Sequence, residues 1–142
     1  MKKTDLAYVA GIVDGEGCIT LARTGIRNSK NTSISLFVTV TNTNIWIIEW
    51  LKFAFGGTIY TNRKRNETTN RKAVYTWGLY TLSALEFLKL IYPYLRLKKP
   101  QAEIAIKFLE MRGQKGRRFN TEEQEIGESQ RIEMGKLNKR GA

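Results

Sequence analysis

Between Ser33 and Thr41 the chain alternates: Ile34, Leu36, Val38 and Val40 interleave with Ser33, Ser35, Phe37, Thr39 and Thr41. Period two sends successive side chains to opposite faces, so this is a strand with one apolar face and one mostly hydroxyl face. A sheet built from such strands is covered on one side only, and helices must form the cover. Cys18–Thr24 reads as the hairpin partner, across the polar loop 25–32. Thr58–Asn62 and Ala73–Leu79 form a second hairpin.

The cover comes from segments with helical spacing. Residues 4–15 carry Leu6, Val9, Ala10 and Val13 on one face, with Thr4 as N-cap and Gly15 and Gly17 as breakers. Asn44–Phe55 is apolar at Ile45, Trp46, Ile48, Trp50, Leu51 and Phe53, and Gly56-Gly57 closes it. Thr81–Ile91 places Leu82, Leu85, Leu88 and Ile91 on one face and stops before Pro93. Pro100 opens a last helix to about Arg112, where proline is tolerated in the first turn. The predicted order is α-β-β-α-β-β-α-α, an α+β domain over residues 1–112 with a four-stranded antiparallel sheet. Residues 113–142 change composition and form an extension. Thr121–Leu137 is a further helix, with Thr121 and Gln124 at capping-box spacing, or else a frayed segment.

Charge bears on partners rather than on fold. Lysine and arginine number 24 against 13 acids, for a net charge of +11. Residues 1–112 hold 17 bases and 8 acids, and 113–142 hold 7 and 5, so the excess lies in the body. It points to a polyanion, nucleic acid first. The loop 63–72 concentrates it, with Arg63, Lys64, Arg65, Arg71 and Lys72 against Glu67. The chain has no histidine and one cysteine, Cys18. That excludes imidazole-based zinc sites, Ser-His-Asp hydrolysis and internal disulfides. Any metal must sit on oxygen, which means magnesium, manganese or calcium. No apolar run reaches the ~20 residues of a bilayer span, and no targeting segment is read at the N-terminus.

Ala7, Gly11 and Gly15 stand four apart on the first helix, beside Ala10 and Asp14. Small residues at that spacing let two helices approach closely. The helix either packs on its own sheet or forms a seam with a second helix. Asp14 and Glu16 follow at its C-terminal end, where the macrodipole disfavours carboxylates and a counter-charge such as a divalent cation is expected. Taken alone, an acid pair flanked by glycines is more often a turn than a metal site.

The stretch Val9-Ala10-Gly11-Ile12-Val13-Asp14-Gly15-Glu16-Gly17, with Tyr8 before it and Cys18-Ile19-Thr20-Leu21 after it, resembles the LAGLIDADG motif of the homing endonucleases. The two hairpins and flanking helices follow in that family's order. Tyr92-Pro93-Tyr94-Leu95-Arg96-Leu97-Lys98-Lys99-Pro100-Gln101-Ala102 resembles the family stretch that carries a basic residue of the catalytic pocket. The resemblance covers about residues 5–112. Glu16 stands where aspartate is commoner, and Gly15 where the motif has alanine. A nearby arginine of some relatives is replaced by Ile45 or Trp46.

The resemblance implies the family fold, with its sheet curved, and an intron-encoded, site-specific endonuclease that cuts double-stranded DNA. One motif per chain implies a homodimer whose first helices meet through Ala7, Ala10, Gly11 and Asp14. Glu16 and the carbonyl of Gly15 would hold Mg2+, with Mn2+ substituting and Ca2+ binding without cleavage. Lys98 and Asn42 would complete the catalytic set. The sheet would read base edges in the major groove through Thr20, Thr24, Ser33, Ser35, Thr39, Tyr60, Asn62 and Thr76. Arg27, Lys30, Arg63, Lys64, Arg65, Arg71 and Lys72 would reach phosphates or outer bases. A homodimer implies a long pseudo-palindromic target. The family leaves two alternatives open, an intron RNA-splicing maturase and a non-cleaving repressor, so intron RNA remains a second partner. No membrane partner is expected. An organelle, a prokaryotic cytoplasm and a phage-infected cell are equally compatible settings.

Overall fold

The computed structural model describes residues 1–25, 33–63, 71–112 and 119–139, with side chains 62 and 63 left out. The elements are α1 (Lys3–Glu16), β1 (Gly17–Thr24), β2 (Ser33–Asn42), α2 (Ile45–Phe55), β3 (Thr58–Arg63) and β4 (Val74–Tyr80), followed by α3 (Thr81–Ile91), a 3-10 turn (Tyr92–Tyr94), α4 (Lys99–Arg112) and α5 (Thr121–Asn138). The α+β order expected from the sequence is present, with α5 added. All strand pairs are antiparallel, in the order β1-β2-β4-β3.

Register follows the apolar pattern. Ile19 pairs with Val38 and Leu21 with Leu36 across β1 and β2. Val38 pairs with Leu79 and Val40 with Trp77 across β2 and β4. All seven side chains are buried, together with Val9, Ala10 and Val13 of α1, Ile48 and Leu51 of α2, Leu88 and Ile91 of α3, and Phe108 of α4. Among the described residues, the alternate positions Cys18, Thr20, Thr24, Ser33, Ser35, Phe37, Thr39, Thr41, Thr58 and Tyr60 are half-buried or exposed. Sheet and helices therefore form two layers around one core, with one sheet face open.

Local chemistry sets the element ends. Asn44 caps α2, its side chain accepting from the Trp46 N–H at 3.0 Å. Gly57 joins α2 to β3 with φ of 93°, and an added Cβ there would lie 2.5 Å from the Gly78 carbonyl oxygen. Both the left-handed backbone and the close approach require glycine. Trp77 then donates from Nε1 to the Gly56 carbonyl at 2.7 Å, pinning that turn to the core.

Several ends differ from expectation. Lys2, not Thr4, precedes α1, with no side-chain cap, and Gly15 lies inside the helix. Helical glycine costs only about 1 kcal/mol, which packing outweighs. The buried face of α3 is Ala84, Phe87, Leu88 and Ile91, while Leu82 is exposed, so the helix is rotated from the leucine stripe. The capping box of α5 is Asn120 with Glu123, not Thr121 with Gln124.

The helix α5 lies against β1 and α4. Met134 is buried, and Gly127 sits close against Phe108, Phe119 and Ile34. Asn138 donates to the Ile19 carbonyl at 2.9 Å. Glu128 joins Arg131 and Arg23, each at 2.6 Å. Hydrogen bonds from Arg131, then Arg23, hold its carboxyl down at about 2, below the usual 4.5. A depressed carboxylate stabilises the fold above its unfolded value and loses that contribution as it protonates. Amide protection in α5 is therefore expected to fall first as pH drops from about 4.5 to about 2. Hydrogen exchange read by mass spectrometry checks this, and a Glu128→Gln variant should lose the pH dependence.

Candidate active site and nucleic-acid interface

At the C-terminal end of α1 the chain turns directly into the sheet. Gly17 makes the turn, and a Cβ there would lie 2.8 Å from the Val13 backbone. Asp14, one turn earlier, accepts three backbone hydrogen bonds. Its Oδ2 takes the Arg96 N–H at 2.8 Å, and its Oδ1 takes those of Leu97 at 3.1 Å and Lys98 at 2.9 Å. These amides immediately precede α4, where the helix dipole also favours an anion. The counter-charge expected of a cation at Asp14 is thus met by the protein's own amides. Its role as an anchor for the start of α4 could not be read from spacing, because the partners lie 82 to 84 residues away.

Replacing Asp14 with alanine would remove three charge-assisted hydrogen bonds, two of them exposed and one part-buried. The expected loss is about 2–4 kcal/mol of unfolding free energy, measurable by urea denaturation. Asp14→Asn should recover part of it.

Lys98 reaches back over the same junction. Its Nζ donates to the Asp14 carbonyl at 2.6 Å, so its ammonium caps the end of α1. Glu16 closes the helix and is exposed. Its Oε2 accepts from Asn42 Nδ2 at 2.5 Å. Asn42, the last residue of β2, accepts the Asn44 N–H on Oδ1 at 2.8 Å, and Asn44 in turn caps α2. The Asn42 amide is therefore fixed from both sides. Three residues far apart in sequence, Glu16, Asn42 and Lys98, meet at one helix end.

No group of three acids, cysteines or histidines gathers among the described residues. The donors at this corner are all oxygens: the exposed Glu16 carboxylate and the carbonyls of α1 beyond Asp14, since the Val13 carbonyl takes the Gly17 N–H and the Asp14 carbonyl takes Lys98 Nζ. A set this hard fits Mg2+, Mn2+ or Ca2+. One carboxylate is too few for a closed protein cage but suits Mg2+, which keeps much of its water.

The open sheet face begins at this corner. Thr20, Thr24, Ser35 and Thr39 are half-buried on it, and Ser33 and Tyr60 are exposed. The Thr24 hydroxyl lies 3.1 Å from that of Ser35 and 3.3 Å from that of Ser33. Partial desolvation against the sheet, and then Tyr80, push the hydroxyl of this otherwise exposed Tyr60 above its ordinary pKa. Thr76 is corrected as a reader. It faces this side but is 2% exposed, with its hydroxyl 2.8 Å from that of Thr41 and its Cα paired with Tyr60. Ala10 is likewise corrected as an interface residue. It is 0% exposed and belongs to the chain's own core. Ala7 and Gly11 are exposed, and Asp14 is half-buried.

The same face carries residues that sequence reasoning passed over: Cys18, Phe37, Thr41, Thr58 and Tyr80. Cys18 Sγ lies 2.8 Å from the Thr20 hydroxyl, and Phe37 meets Tyr80 edge to face. Strand parity already pointed to Phe37 and Thr41, whereas Tyr80 lay one residue past the expected end of its strand. Arg71 and Lys72 are exposed at the entry to β4. Arg27, Lys30, Lys64 and Arg65 lie outside the described residues. Asn62 and Arg63 lie in β3, with their side chains outside the description.

No protein-family model matches the chain, and no curated protein does. Solved structures match closely in shape. The homing endonuclease I-CvuI, in complex with its target in the presence of calcium, superposes with a TM-score of 0.73 at 22% identity, over 98% of this chain and 84% of that one. The archaeal intron-encoded homing endonuclease I-Vdi141I, complexed with DNA, gives 0.78 at 15% identity, over 100% and 89%. The I-SmaMI LAGLIDADG homing endonuclease, bound to cleaved DNA, gives 0.74 at 16% identity, over 95% of this chain and 45% of the larger one. The chain has the LAGLIDADG homing-endonuclease fold.

Proposed function

We propose that this chain is a site-specific homing endonuclease that hydrolyses both strands of a DNA duplex as a homodimer, with divalent metal. The observation that carries the reading is the corner at the end of α1. There an exposed carboxylate, a fixed amide and a lysine meet beside an open, hydroxyl-rich sheet on a chain of net charge +11. Neighbours of the same fold are described in complex with DNA, with calcium or magnesium in some cases, which supports both partner and cofactor.

The tasks of Glu16, Gly15, Asn42 and Lys98 suit their geometry, and those of the loop bases and of Asn62 and Arg63 rest on the sequence. Glu16 and the Gly15 carbonyl would hold Mg2+, which supplies charge neutralisation and an acidified water at the phosphodiester. Asn42 holds the Glu16 carboxylate in one orientation and offers its amide to solvent order at the site. Lys98 places a positive charge at the helix end, where charge builds on the phosphate oxygens during hydrolysis. Thr20, Thr24, Ser33, Ser35, Thr39, Tyr60 and Asn62 present donors and acceptors to base edges in the major groove. Arg63, Lys64, Arg65, Arg71 and Lys72, with Arg27 and Lys30, meet phosphates and fix register. Two copies related by a two-fold axis read a pseudo-palindromic site.

The test is cleavage of a plasmid library carrying randomised half-sites, with and without Mg2+. A single metal-dependent double-strand break at one sequence establishes the activity. Tight binding without a break, in Mg2+ and Mn2+ alike, would overturn it in favour of a non-cleaving relative.

A further inference from the structure

Two unlike surfaces flank the exposed side of α1. On one flank a groove of about 440 Å³ runs between Ala7, Gly11 and Asp14 and the segment 93–99. Arg96 and Lys99 line it. On the other flank Tyr8, 55% exposed, packs edge to face on Trp50, with ring centroids 5.9 Å apart. Trp50 stacks on Trp46 at 6.4 Å and 7° between planes. Trp46 is 61% exposed and Phe53, one helical turn beyond Trp50, is 90% exposed. Glu49, also exposed, shares this face. The result is an aromatic shelf with an acid on one side of α1, and a groove with bases on the other.

We propose that the shelf of one copy docks into the basic groove of a second copy, so that Trp46 and Trp50 meet Arg96 and Lys99 across the two-fold axis. The inference deepens the homodimer reading above and rests on it. Three arguments carry it. A two-fold axis running along paired α1 helices exchanges left and right flanks, so each shelf faces the partner's groove. Ala7, Gly11 and Gly15 bring one methyl group among their side chains, and a stable interface that buries about 1,200–2,000 Å² draws on surfaces beside them. Charges are complementary: indole faces attract the Arg96 guanidinium, and Glu49 adds an acid opposite Arg96 and Lys99, whose ammonium lies 5.2 Å over its own Tyr92 ring.

The experiment is sedimentation equilibrium of the full chain and two variants, Trp46→Arg on the shelf and Arg96→Glu in the groove. The wild type should form dimers. Each variant alone should dissociate about tenfold or more readily, because both shelf-groove contacts lose their attraction. Mixed in equal amounts, the two should pair, since one contact then joins the introduced arginine to the introduced glutamate and the other keeps the native pair. Circular dichroism checks folding, and Phe53→Arg replaces Trp46→Arg if the latter does not fold. Wild-type dimers with variants that associate as tightly would overturn the shelf and groove while leaving the homodimer standing. Weakening without rescue on mixing would also overturn the cross-pairing. A wild type that stays monomeric even on DNA would instead remove the homodimer reading itself.

Discussion

Changing Glu16 to glutamine is expected to abolish double-strand cleavage while leaving DNA affinity within a few-fold of wild type. Glutamine keeps the shape and can still meet Asn42, but it removes the negative charge that a divalent ion requires. Loss of one preorganised electrostatic group in a hydrolytic site costs about 10²–10³ in rate, and loss of a metal ligand more. A reduction of about three orders of magnitude is therefore the expected size. Binding should persist because the open sheet and the basic segments are untouched. Single-turnover cleavage and a gel-shift titration, run on one DNA substrate, measure both quantities. A Glu16→Gln protein that still cuts would remove this carboxylate from the chemistry. The Lys98 ammonium, bonded to the Asp14 carbonyl, would then be the next residue to test.

The second large effect concerns assembly. Gly11→Leu should leave the single chain folded, since an added Cβ at Gly11 meets nothing within 4 Å. Leucine also favours helix over glycine by up to about 1 kcal/mol, so the unfolding midpoint should hold or rise. Yet a bulky side chain on the exposed stripe of α1 would push two such helices apart. The dimer dissociation constant is expected to rise by about a hundredfold, which corresponds to roughly 3 kcal/mol. Cleavage should fall with it. Sedimentation and thermal unfolding on the same sample separate the two responses. Undiminished dimers would place the seam away from α1.

What the sequence made legible, and what it did not, follows from the range of the interactions. The period-two run from Ser33 to Thr41 sorted core from open face correctly, because strand geometry is local. Helix faces were less secure. The leucines of α3 suggested a stripe through Leu82, but packing against the sheet selected Ala84, Phe87 and Leu88. Asn120 and Thr121 could each open α5, with Glu123 and Gln124 each three residues on, so spacing alone could not choose between them. Asparagine outranks threonine at an N-cap, which is the order the structure follows. The candidate site at the end of α1 was legible only through its resemblance to a known motif. Its geometry depends on contacts such as Asn42 with Glu16 and Asp14 with residues 96–98, and no local pattern encodes these. Thr76 shows the same limit in reverse. Its parity was right, but crowding by Thr41 and Tyr60 becomes visible only with the register.

The one-sided sheet also bears on how such a chain can change over generations. Residues such as Thr20, Ser35 and Thr39 stand on the uncovered face, while their strand neighbours Ile19, Leu36 and Val38 carry the core. Substitution on the uncovered face alters the surface it presents without opening a cavity, so most exchanges there cost little stability. The end of α1, by contrast, is bound to the start of α4 through Asp14, and a change at that residue disturbs the fold itself. Inheritance of this architecture therefore leaves the open face free to drift one residue at a time, while the helix junction stays fixed.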